Sequence, residues 1–106
     1  MQNFEELEKR IFLLNINLEA YKSNLIPEQV DDLTMLNNRL KYFVDNPARL
    51  SPEAYELLSL LEEIKSFLLS VRMIDNLAII EKAELLVEIN SLIDVVKKMQ
   101  TQNKVL

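Results

Sequence analysis

Apolar residues recur at helical spacing along most of the chain, and the most sustained run covers residues 51–74, SPEAYELLSLLEEIKSFLLSVRMI. With Ala54 at heptad position a, Leu57, Leu61, Ile64, Leu68 and Val71 follow in alternating steps of three and four. Leu60, Phe67 and Ile74 widen this stripe on one side, while Glu56, Ser59, Glu62, Glu63, Ser66 and Ser70 take the opposite face. A stripe of that width needs at least two neighbouring helices, so the remaining segments are expected to be helices packed around it.

The N-terminal pattern is more regular still. Phe4, Leu7, Ile11, Leu14, Leu18, Tyr21 and Leu25 repeat as a coiled-coil seam, which predicts a helix over about 3–24. Asn3 is its expected cap, Glu5 and Glu6 suit its first turn, and Glu5–Lys9 and Glu6–Arg10 are spaced for i,i+4 ion pairs. Phe12, Leu13 and Ile16 fall outside the seam. Either the helices cross at an angle that covers them, or they form an interface for another molecule.

Ile26-Pro27 opens a second helix over about 27–45, with Pro27 at its first position and Leu33, Leu36, Leu40 and Phe43 on its seam. Asn37 sits at the edge of this stripe, where a polar residue is expected to fix register or reach a carbonyl. After a break at 45–50, Ser51 is the expected cap of the third helix, over about 51–74, and Leu50 is placed to staple onto Tyr55. Asp75-Asn76 marks the next break, without a proline to enforce it; the alternative is one continuous helix. Asn24, Asn46 and Asn76 stand at the breaks, and in a chain without glycine asparagine is the residue best suited to a left-handed closing position.

The last helix is expected over about 77–100, with Ile79, Leu86, Ile89, Ile93 and Val96 on its seam and Ala78, Leu85, Leu92 and Met99 beside it. Lys82 interrupts that seam as a snorkelling residue, and residues 101–106 form a fraying tail. Leu77, Ile80 and Val87 lie outside the main face and repeat the surplus seen in the first helix. Together these elements predict an all-α fold, an antiparallel up-down-up-down four-helix bundle formed by residues 1–106 as a single domain.

Composition narrows the chemistry more than it changes the fold. The 106 residues include no glycine, cysteine or histidine. That argues against β-hairpins, phosphate-cradling loops, disulfides, a thiolate nucleophile and sulfur-ligated zinc. Without histidine the commonest general base is missing, and the Glu-x-x-His motif of di-metal bundles cannot occur. Ser23, Ser51, Ser59, Ser66, Ser70 and Ser91 lie in helical or capping contexts with no nucleophile elbow. Glu81, Glu84 and Glu88 line one helical face at three- and four-residue spacing, expected to be solvated rather than metal-binding. The net charge of −5 disfavours nucleic acid, and the apolar patches IFLL and SFLLSV fall far short of a membrane span. MQNFEELEKR is too charged for a signal sequence, and no lipid-anchor motif is present, so a cytoplasmic location is expected.

Recognition remains. The sequence predicts a non-enzymatic, cytosolic protein-binding module, such as a small acidic chaperone, adaptor or regulator, with neither cofactor nor metal. It is expected to dock an amphipathic helix of another protein at Phe12, Leu13, Ile16, Leu77, Ile80 and Val87. The alternative is a structural subunit that spends the same surface on its own homo-oligomer.

Overall fold

The computed structural model describes residues 4–73 and 75–105, with side chains described as far as Gln100. All regular structure among them is helical: α1 (Phe4–Tyr21), α2 (Pro27–Asp45), α3 (Ala54–Ser70) and α4 (Asn76–Val105), with 3₁₀ turns at Lys22–Asn24 and Pro47–Arg49. Helix α1 packs against α2 and α4, and α3 packs against the same two helices from the other side. The described molecule measures 47 × 22 × 19 Å. At 1.5 Å per residue α4 is about 45 Å long and spans its full length.

The core is aliphatic. Leu7, Ile11, Leu14, Leu18 and Tyr21 of α1 meet Leu33, Leu40 and Phe43 of α2 and Leu57, Leu60, Leu61, Ile64 and Leu68 of α3. Helix α4 completes it with Leu85, Ile89, Leu92, Ile93, Val96 and Met99. Each fully buried leucine contributes about 1.5–3 kcal/mol, which in a chain of few strong helix caps is what holds the helices. Because the α1 and α3 stripes are buried as their spacing predicts, the apolar residues off those stripes are left outside.

The helix ends show the local chemistry. Pro27 occupies the first position of α2, and the Gln29 side chain accepts from the Ile26 backbone amide, the one half of a capping box available when the preceding residue is apolar. Asp75 caps α4: its Oδ1 accepts from the amides of Leu77 (2.8 Å) and Ala78 (3.2 Å). Ahead of it the Lys82 ammonium donates to the Val71 carbonyl at 2.7 Å, satisfying an acceptor just past the end of α3. Lys82 is thus a tie between α3 and α4 as well as an edge residue.

Several expectations need correction. Helix α3 begins at Ala54 rather than at a Ser51 cap, because residues 51–53 form turns in which the Ser51 carbonyl accepts from the Ala54 amide. Glu53 is held there by Arg49 and by the Tyr42 hydroxyl. Leu50 is buried but Tyr55 is exposed, so the two do not form a staple; Leu50 anchors the loop into the core instead. The α3 helix ends at Ser70, ahead of the expected break, and α4 is helical through Val105. The α-helical part of the first segment ends at Tyr21 and tightens into 3₁₀ geometry over Lys22–Asn24. No described residue has positive φ, so Asn24, Asn46 and Asn76 do not close helices in the left-handed region. Asn46 reaches back with its side-chain amide to the Tyr42 carbonyl at 2.8 Å. Ile79 is exposed and Leu86 only half-buried, while Ile89, Ile93 and Val96 are buried as expected, together with Ala78, Leu85, Leu92 and Met99. Phe4 is at the exposed margin of the α1 seam. The expected Asn3 cap and the core position of Ile74 lie outside the described residues.

Candidate functional site

Helices α1 and α4 meet along a seam whose two ends are bonded and whose middle is open. At one end the Arg10 guanidinium donates from Nε to Glu88 Oε1 at 2.8 Å and from Nη2 to Ser91 Oγ at 2.7 Å. At the other the Tyr21 hydroxyl donates to the Ala78 carbonyl at 3.3 Å, and Asn24 Nδ2 donates to Glu81 Oε2 at 3.1 Å. Burial raises the Tyr21 pKa above the ordinary phenol value, with a smaller push from the charge of Glu81. Between these ties lies a groove of about 320 Å³ lined by Leu14, Asn17, Ala20 and Tyr21 of α1 and Glu81, Glu84, Leu85 and Glu88 of α4.

The groove has a physical division of labour. Leu14, Tyr21 and Leu85 belong to the buried core and form its floor. Glu81, Glu84 and Glu88 recur at three- and four-residue spacing, which places them on one line along α4. Their alignment on one face agrees with the sequence, but that face borders α1 instead of pointing fully into solvent. Glu84 has no hydrogen-bond or ion-pair partner among the described residues. No group of three or more carboxylates among the described residues is arranged to hold a metal ion.

The predicted contact residues are all at the surface. Phe12, Leu13 and Ile16 are 45–48% exposed, and Leu77, Ile80 and Val87 are 53–71% exposed. At 100° per residue, Phe12, Leu13 and Ile16 lie on the side of α1 opposite its buried stripe, and Ile80 and Val87 lie likewise on α4. Leu13 and Ile16 fall between the Arg10 and Tyr21 ties in sequence, and Ile80 and Val87 fall between the matching Ala78 and Glu88 positions. Leu13 and Ile16 of α1 and Ile80 and Val87 of α4 thus occupy adjoining helices with the glutamate row running between them. Ile16 also lines a second, amide-rich crevice between α1 and α2, with Asn15, Glu19, Asn37, Asn38 and Lys41.

A reciprocal amide pair lines that second crevice. Asn15 Nδ2 donates to the Asn37 side-chain oxygen (2.8 Å) and backbone carbonyl (3.1 Å), and Asn37 Nδ2 donates to the Asn15 carbonyl (3.0 Å). Asn37 is the one buried polar residue among those described and reaches a carbonyl as its position in the stripe implies. Its amide also donates to Glu19, which Lys22 holds in an ion pair; the Lys22 bond, with a smaller contribution from Asn37, keeps the Glu19 carboxyl below its ordinary pKa. The role of Arg10 was not legible in the sequence, where Glu6 is the partner suggested by spacing. A contact across 78 positions leaves no local signal. Compared with models of protein families, with curated proteins and with solved structures, the chain matches none.

Proposed function

We propose that the chain is a non-enzymatic protein-binding module that receives an amphipathic helix of another protein across the outer faces of α1 and α4. The observation that carries this reading is the surplus of apolar surface: Phe12, Leu13, Ile16, Leu77, Ile80 and Val87 stay exposed although the core is filled without them. An apolar face left over after a core is complete costs solubility unless a partner covers it. The architecture behind the proposal is an antiparallel up-down-up-down four-helix bundle in the cytoplasm. Its support is the short connections between helices and the ties of Arg10 to Glu88 and Tyr21 to Ala78, which pair the first half of α1 with the middle of α4 and the end of α1 with the start of α4. A small chaperone, adaptor or regulator would use such a face in the same way, holding anchors at i, i+3, i+4 and i+7 of the bound helix. No helix is long and apolar enough to cross a membrane among the described residues.

The test combines solution mass with peptide binding. Sedimentation equilibrium over a wide concentration range should return the 12.4 kDa monomer, and synthetic amphipathic helices should bind it. The double substitution Phe12→Asp with Ile16→Asp should remove that binding and leave the circular dichroism spectrum helical. A tight oligomer that the same substitutions dissolve would assign the face to self-association. Unfolding of the double variant would return those residues to the core and end the docking reading.

A further inference from the structure

We infer that the helix received by this face is basic, and that it lies along the α1–α4 groove with its cationic side chains over Glu81 and Glu84 and its apolar side chains on Leu13, Ile16, Ile80 and Val87. The inference rests on the proposed docking face and specifies the chemistry of its occupant.

Part of the groove's charge is already used. Arg10 occupies Glu88, and Asn24 supplies a neutral donor to Glu81. Glu84 has no partner among the described residues, and the lining contains no cationic side chain, since its other polar member is Asn17. Two carboxylates without a countercharge therefore sit between two apolar shoulders and above an apolar floor of Leu14, Tyr21 and Leu85. Lysine and arginine fit that cross-section: their methylene stems pack on the apolar walls while their heads reach the carboxylates. An acidic or neutral helix would cover Glu81 and Glu84 without replacing their hydration, which is costly.

The same row of charge weighs against a second copy of this chain. In a two-fold contact each copy presents the same patch to the other, so Glu81 and Glu84 of one protomer would approach those of its partner. Like charges brought together at the centre of an interface oppose assembly, and the net charge of −5 adds to the repulsion. The apolar shoulders alone suit either occupant; the carboxylates select the foreign basic one.

The probes are a synthetic amphipathic peptide of leucine and lysine about five turns long and its leucine–glutamate counterpart, titrated into the full chain by fluorescence anisotropy. The lysine peptide should bind and the glutamate peptide should not. Raising sodium chloride from about 50 to about 500 mM should weaken the complex, since partly exposed charge pairs are screened at that ionic strength. The pair Glu81→Lys with Glu84→Lys should weaken it roughly tenfold or more. The same net change placed on α3, Glu56→Lys with Glu62→Lys, should weaken it no more than about threefold. If the groove reversal disturbs the helix content, Glu81→Gln with Glu84→Gln replaces it and should lower affinity by about threefold or more. Equal losses from the α1–α4 and α3 reversals would show that overall charge attracts the peptide, overturning the inference. Equal, salt-insensitive binding of both peptides that Leu13→Asp with Ile16→Asp abolishes would leave the docking face standing and overturn its basic specificity. If neither peptide binds, the docking reading falls and this inference with it.

Discussion

Against α2, α1 presents Asn15, whose amide and carbonyl are both engaged by Asn37; against α4 it presents Arg10, bonded to Glu88 and Ser91, beside an open groove. The first flank has a crevice of its own but is pinned by a buried polar residue. The second keeps its charges near water, where Glu88 and Arg10 are each partly exposed. The difference follows from desolvation. A buried amide is stable only when its donors and acceptor are all answered, so Asn15 and Asn37 permit one relative position of their helices. Carboxylates at an open seam keep their hydration and can take up a new partner with little rearrangement. One flank of α1 therefore secures helix register, and the other holds the open groove of the proposed docking face.

The largest effect is expected from breaking the flank that Asn15 and Asn37 pin. Asn37→Asp places a carboxylate beside Glu19 and the Asn15 carbonyl and removes both donors, and should destabilise the chain by about 3–5 kcal/mol in urea unfolding. Replacing Asn15 and Asn37 together by leucine should be far milder, because no orphaned amide remains. If Asn37→Asp unfolds at nearly the wild-type midpoint, the pair does not pin the flank. On the open flank Arg10→Ala should cost about 1–2 kcal/mol, the value of a partly exposed ion pair with one added hydrogen bond. A loss as large as that of Asn37→Asp would erase the contrast between the flanks.

Acid should act more weakly, through carboxylates that the fold holds below their ordinary pKa. The Glu19 carboxyl is held below its ordinary value chiefly by the Lys22 hydrogen bond, and Glu63 is held down by its two bonds from Arg39, which join α2 to α3. A depressed carboxylate favours the folded state above its unfolded pKa of about 4.3 and loses that advantage as pH falls through the lower folded value. The urea midpoint should therefore hold from neutral pH to about 4.3 and decline below it. Glu19→Gln should flatten part of that decline, and an unchanged acid profile in this variant would remove Glu19 from the account.

The core of α1 was legible because Leu7, Ile11, Leu14, Leu18 and Tyr21 keep one register through the helix, and all are buried. Helix α4 was less so. It opens with Leu77, Ala78, Ile79 and Ile80 in succession, so several seams fit its first turn, and a fixed heptad drifts by about 20° per repeat on a straight helix. That is why Ile79 lies outside and Ala78 inside. The candidate contact residues were legible as residues off the stripes. The groove beside them was not, since Arg10, Tyr21 and Asn24 gain their partners only when α4 comes alongside. The Ser51 cap failed for a related reason: Glu53 makes its bonds with Arg49 and Tyr42 in the loop, and α3 starts after it.

By itself the sequence determined the helical class, the stripes that α1 and α3 bury, the proline that opens α2 and the acidity of the α4 row, because periodicity, φ restriction and charge are properties of neighbouring residues. Only the tertiary structure decided which helix flanks which, that Lys82 answers Val71, that Asn37 meets Asn15, and that Arg10 takes Glu88 while Glu84 has no partner among the described residues. Those outcomes depend on the packing of helices remote in sequence, where many pairings satisfy the same apolar pattern and complementary polar contacts select among them.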